Sequence, residues 1–141
     1  MKVSDILHFK GKNVYSIPSD ISVYEALKIM GEKNIGALLV IDDNKLSGII
    51  SERDYARKII LKGKSSRETQ VKDIMTQQVI TVTPADNIET CMGLMSEKHI
   101  RHLPIVNNDE VVGMISIGDV VRTIIDEQKS IIEHLQSYIT Q

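Results

Sequence analysis

The chain states one plan twice, and no other feature constrains its fold as strongly. Gly48-Ile49-Ile50-Ser51-Glu52-Arg53-Asp54 returns 65 residues later as Gly113-Met114-Ile115-Ser116-Ile117-Gly118-Asp119. At the same offset Val14 answers Val79, Met30 answers Met95, Glu32-Lys33 answers Glu97-Lys98, Ile35 answers Ile100 and Leu38 answers Leu103. Apolar character persists where identity does not, in the pairs Val23/Ile88, Leu27/Met92 and Val40/Ile105. Two copies are too few for a solenoid, so the expected solution is a pair of related units burying a shared face.

Copy one reads as strand, helix, strand, strand, helix. A short strand over residues 14–17 ends at Pro18, and Ser22 can cap a helix with Val23, Ala26, Leu27 and Met30 at helical spacing. Ala37-Leu38-Leu39-Val40-Ile41 is a continuous apolar run, as a strand covered on both faces requires. Asp42-Asp43-Asn44-Lys45 is a turn, Leu46 begins a second strand, and Ser51 caps a helix carrying Tyr55, Ile59 and Ile60. Copy two repeats this order from Val79 to about Ile125.

Each copy has a lead-in, Val3-Ser4-Asp5-Ile6-Leu7 and Val71-Lys72-Asp73-Ile74-Met75. Their offset is 68, so the first lead-in is longer by three residues, around Lys10-Gly11-Lys12. The expected divisions are 1–63, a polar linker 64–70, and 71–141. The last helix overruns its repeat, with Ile124, Ile131, Leu135 and Tyr138 on one face and Ile132 and Ile139 beside them. Two readings of this overrun stand side by side: packing on its own domain, or an oligomer contact.

Composition removes several functions. The net charge is −2 and the 4% aromatic content includes no Trp, so neither a basic surface nor stacking platforms for nucleic acid are supplied. No apolar run approaches the ~20 residues of a membrane span, and the early Asp5 argues against a signal peptide. A soluble cytoplasmic protein is the expectation. Cys91 has no partner for an internal disulfide and matches Ala26 across the repeat, so it reads as a small buried residue. His99 and His102 are three apart, but His8 and His134 lie far off and no Cys is spaced for zinc, so no metal site is expected. Met30, Met92 and Met95 fall on apolar helical faces and read as core filler.

The two Gly-apolar-apolar-Ser-x-x-Asp motifs, Arg101-His102-Leu103-Pro104 and the lead-in Asp73-Ile74-Met75-Thr76 occur in one order at constant offset. Together they resemble a tandem pair of cystathionine β-synthase (CBS) domains, the Bateman module. The chain is similar to small stand-alone bacterial pairs in Ser51-Glu52-Arg53-Asp54-Tyr55-Ala56-Arg57-Lys58 and in Ser116-Ile117-Gly118-Asp119. The resemblance implies an α/β (α+β) fold of two β-α-β-β-α repeats about a pseudo-two-fold axis, here with an extended C-terminal helix. It also implies clefts between the repeats for adenine nucleotides, and modules that pair as a flat disc.

A carboxylate suits a ribose, whose two vicinal hydroxyls can donate one to each oxygen. Asp54 and Asp119 are the candidates, with Ser51 and Ser116 at helix starts that favour anions. Taken alone, Ser-x-x-Asp is a capping-box-like helix start, worth roughly 0.3–1 kcal/mol through the dipole; the repetition and the resemblance favour the binding reading. The family's cleft geometry implies a site A of Ile49, Ser51, Arg53 and Asp54 with Thr81, Val82, Ile100, Arg101, His102, Leu103 and Pro104. It implies a site B of Met114, Ser116 and Asp119 with Ser16, Ile17, Ile35, Gly36, Ala37 and Leu38. Site A gathers Arg53, Arg101 and His102 for a phosphate, whereas site B shows no local cation in its motif. Copy one carries Leu39 where copy two has Pro104.

The expected function is a regulatory module sensing AMP, ATP or NAD, with no required cofactor and no enzymatic activity. It would signal to a downstream protein and pair as a homodimer. The alternative is a ligand-free interaction protein that dimerises through its helices. An enzyme is disfavoured because Asp54 and Asp119 do not form a paired catalytic set.

Overall fold

The computed structural model describes residues 1–11 and 14–140. Lys12, in the longer first lead-in, lies outside the described residues.

The local signals of copy one are realised. The first lead-in is helix α1 (Val3–Lys10). After the short strand β1 (Ser16–Ile17), Ser22 caps helix α2 (Val23–Lys33), its Oγ accepting from the Glu25 amide at 3.1 Å. Asn34 closes the helix in the left-handed region at φ 55°, a conformation Asn tolerates. Strands β2 (Ala37–Asp42) and β3 (Lys45–Ser51) form a hairpin whose central residues, Asp43 and Asn44, both have positive φ. That is the turn whose twist matches flanking strands. Ser51 then caps α3 (Glu52–Lys58). The sheet order is β1-β2-β3, with β1 parallel and β3 antiparallel to β2.

Copy two repeats these devices in α4 (Ile88–Lys98), β4 (His102–Asn107), β5 (Glu110–Ser116) and α5 (Ile117–Ile139). His99 takes the left-handed role of Asn34, and Asn108-Asp109 that of Asp43-Asn44. The buried cores correspond residue by residue: Ile17/Val82, Val23/Ile88, Ala26/Cys91, Met30/Met95, Leu38/Leu103, Val40/Ile105 and Ile50/Ile115. Cys91 is fully buried, and burial followed by the charge of Asp86 pushes its thiol up to about 11. It is an inert core residue.

The chain divides into two compact units, Met1–Lys12 with Thr81–Gln141, and Asn13–Ile80. The lead-ins are therefore exchanged. In the first unit Val3 and Ser4 donate to the carbonyls of Asp86 and Pro84, and Ile88 donates to Met1. In the second, Val71 and Lys72 donate to Ile21 and Ser19, and Val23 donates to Thr69. Each lead-in is bonded to the helix start of the copy it does not immediately precede, with the offsets of 65 and 68 preserved bond for bond. The sequence divisions 1–63 and 71–141 place each lead-in with its neighbour in the chain, whereas the units follow these long-range bonds. Val3 and Ile6 on one side, and Val71 and Ile74 on the other, are buried by this exchange.

Three elements depart from the sequence reading. The first strand spans two residues rather than four, because Val14 and Tyr15 lie outside the ladder. Its counterpart in copy two is reduced to an isolated bridge between Val82 and Ile105. The reason is Pro104: Leu39 donates its amide to Tyr15 at 3.4 Å, and a proline at the matching position has no N–H to donate. Finally, α3 stops at Lys58, so Ile59 caps it from the core while Ile60 begins an exposed 3-10 turn (Ile60–Lys62).

Candidate functional site

Each expected residue set draws on both units; the geometry below is that of each unit by itself. In the unit of copy one, Ala37 pairs with Ser51 across β2 and β3, and Glu52 donates to the Gly36 carbonyl at 3.0 Å. The start of β2 thus abuts the start of α3, gathering Gly36, Ala37, Ser51 and Asp54. Ser16 and Ile17 pair with Leu39 and Val40 on the same sheet. Ile35 precedes β2, Leu38 pairs with Ile50, and Ile49 pairs with Leu39. Arg53 is half-buried in the first turn of α3.

The unit of copy two repeats the arrangement. His102 pairs with Ser116, and Ile117 donates to the Arg101 carbonyl at 2.8 Å. Leu103 pairs with Ile115 and Pro104 with Met114. Val82 donates to the Pro104 carbonyl at 3.0 Å, with the exposed Thr81 before it, and Ile100 precedes β4.

Both carboxylates are committed to capping boxes. Asp54 Oδ2 accepts from the Ser51 amide at 3.0 Å and from Ser51 Oγ at 3.2 Å, while the Asp54 amide donates to Ser51 Oγ at 3.3 Å. Lys58, one turn on, lies 3.2 Å from Asp54 Oδ1 and also donates to the Ile74 carbonyl at 2.7 Å. Asp119 Oδ2 accepts from the Ser116 amide at 2.9 Å and from Lys10 Nζ at 2.7 Å, and Oδ1 accepts from Arg122 at 2.8 Å. Lys10 Nζ also donates to the Met114 carbonyl at 3.0 Å.

These contacts correct one expectation. The copy-two motif does have local cations, namely Lys10 from the exchanged lead-in and Arg122 from α5. Arg122 and Lys58 stand three and four residues beyond their aspartates, a spacing legible in the sequence. Lys10 is 109 residues from Asp119 and no local signal could have found it. The electrostatics follow the geometry. Burial alone would raise the Asp119 carboxyl, but the hydrogen bonds from Lys10 and Ser116 outweigh it and hold the group below its ordinary range. His102 is shifted down, first by burial and then by the Lys10 charge.

Among the described residues no helix is long and apolar enough to cross a membrane, and no three His, Cys, Asp or Glu residues cluster as metal ligands.

Comparison with known proteins matches the CBS domain family to residues 3–61 and 71–126. The mitochondrial CBS domain-containing protein CBSX3 of Arabidopsis thaliana is 42% identical, over 97% of this chain and 71% of its own length. A solved structure from Burkholderia ambifaria, a CBS-domain protein ascribed to signal transduction, is 44% identical with a TM-score of 0.88, covering 91% of this chain and 96% of that one. The CBS domain pair of MJ0100, solved in complex with 5'-methylthioadenosine and S-adenosyl-L-methionine, is 32% identical with a TM-score of 0.80, covering 90% of this chain and 98% of that one.

Proposed function

The chain belongs to the CBS domain family, carried as two repeats, and from this we propose that it is a regulatory module sensing an adenosyl ligand. The observation that carries the reading is the twice-built Ser–Asp helix start in a relative of a CBS pair that binds two adenosyl compounds. Each aspartate accepts three hydrogen bonds or ion-pair contacts, against about four lone-pair sites on a carboxylate, so Oδ1 keeps room for one ribose hydroxyl and a second must replace a donor on Oδ2. The two residue sets centred on Asp54 and Asp119 are the proposed ligand contacts, and AMP, ATP and NAD the proposed ligands. The role is regulatory rather than catalytic, in the cytoplasm, with a separate protein reading the bound state. Signalling requires that the ligand bind two states with different affinity.

Thermal unfolding of nucleotide-free protein with millimolar AMP, ADP, ATP, NAD, S-adenosylmethionine or methylthioadenosine tests this. A ligand at 100 times its dissociation constant stabilises by ~2.7 kcal/mol. No shift with any of the six would remove the sensing role.

A homodimer is proposed on a separate observation. Val121, Ile125, Gln128, Ile132, Leu135 and Ile139 recur at alternating spacings of four and three, as a coiled-coil seam requires. Every residue from 128 to 140 is exposed, including Leu135 at 55% and Ile139 at 80%. Burying these exposed apolar side chains against a partner face is favourable. An a/d-type row of this spacing can pair with its own copy, and a second copy of α5 is the proposed occupant.

A further inference from the structure

We propose that Lys10 makes the Asp119 carboxylate discriminate phosphorylated from unphosphorylated adenosyl ligands, an inference that rests on the adenosyl-binding reading above. A bidentate ribose contact places one hydroxyl on each carboxylate oxygen. Oδ1 of Asp119 has room for a second donor beside Arg122. Oδ2 has none, because the Ser116 amide and Lys10 Nζ already occupy it. The Ser116 amide belongs to the capping box of α5 and cannot leave without uncapping the helix. Lys10 is therefore the donor that a ribose must displace.

Displacement breaks a 2.7 Å charge-assisted contact on a carboxylate whose side chain is only 10% exposed. A ligand carrying a phosphate offers the released ammonium a new anion; a nucleoside or thioether offers none. At Asp54 the same bidentate contact breaks no ion pair. There the second donor on Oδ2 is the Ser51 hydroxyl, which frees the oxygen by rotating. The two copies thus differ in what they demand of a ligand: Asp119 asks for a phosphate and Asp54 does not.

Calorimetric titration of AMP and adenosine tests the proposal, using Asp54→Asn protein so that Asp119 is the site observed. Lys10→Met, with Lys10→Gln as a second neutral variant, is added to that background. The expected result is a fall in the AMP-to-adenosine affinity ratio of about tenfold or more, with adenosine bound as tightly as before or tighter. An unchanged ratio, or equal weakening of both ligands, would overturn the role of Lys10 while leaving the adenosyl reading intact. Failure of the unsubstituted protein to bind AMP, adenosine or any of the other five adenosyl compounds above would instead overturn the adenosyl reading, and this inference with it.

Discussion

Substituting alanine for the glycine of each repeated motif should have unequal consequences, although the two glycines are equivalent in sequence. A Cβ at Gly48 would lie 2.7 Å from the Thr76 carbonyl oxygen and 2.8 Å from Met75 Sδ. The carbonyl is backbone and cannot rotate away. Thr76 and Ile49 exchange two backbone hydrogen bonds, of 3.0 and 2.9 Å, so retreat of the lead-in weakens both. Overpacking of this kind costs about 1–3 kcal/mol, and each backbone bond contributes about 1 kcal/mol net. Against this, alanine in place of glycine recovers roughly 0.5–1 kcal/mol of chain entropy. The expected loss for Gly48→Ala is about 2 kcal/mol. At Gly113 the Cβ would meet Leu7 Cδ2 at 2.5 Å, the far end of a half-buried side chain that can turn, and Ile105 Cδ1 at an ordinary 3.4 Å. The entropy gain there roughly cancels the contact, leaving less than about 1 kcal/mol. Urea unfolding followed by far-UV circular dichroism reads the total, and native-state hydrogen exchange at residues 71–76 reads the local loosening. A Gly113→Ala protein destabilised as much as Gly48→Ala would refute the reasoning.

The other expectations concern the α5 seam, pH and Cys91. Leu135→Glu removes a half-exposed apolar side chain twice per dimer, about 2 kcal/mol in all, so the dissociation constant measured by sedimentation should rise at least ~30-fold; an unchanged constant would exclude the α5 seam. The depressed His102 leaves the unfolded chain to bind the proton first, so stability is full above about pH 6.5 and declines as pH falls from there to the lower folded value. The depressed Asp119 adds stability that is present above about pH 4 and lost as pH falls through its folded value. His102 faces Lys10, Asp119 and Arg101, and His102→Gln should flatten the urea midpoint between pH 7.5 and 5.5; an unaltered slope would show that other groups carry it. With its thiol at about 11 and fully buried, Cys91 should react with a thiol reagent at pH 8 only as fast as the fold opens, so its rate should climb with sub-denaturing urea.

Much of the fold was legible because the relevant bonds close within a few residues. Ser22, Ser51 and Ser116 cap helices through donors three residues on, and Asp43-Asn44 and Asn108-Asp109 supply the positive φ their hairpins need. The repeat extended these readings to copy two and located the corresponding cores. Pro104 was visible as the departure from Leu39, but its effect on the early strand depends on which amide the ladder requires. At the candidate site, the Ser51–Asp54 and Ser116–Asp119 helix starts were legible as capping boxes, and Lys58 and Arg122 stood at helical spacing beside the aspartates. Lys10 was missed.

The sequence by itself determined the doubled plan, the caps, the turns and the apolar positions, since each follows from short-range backbone chemistry or from periodicity. Only the tertiary structure decided that the lead-ins are exchanged between copies, and hence that a lysine from the first lead-in ends on the carboxylate of the second repeat. Val3 and Val71 are the same residue type in matching segments, and nothing local states which core will bury them. That choice is made by burial and by backbone bonds between residues far apart in the chain, and the charge balance at Asp119 follows from it.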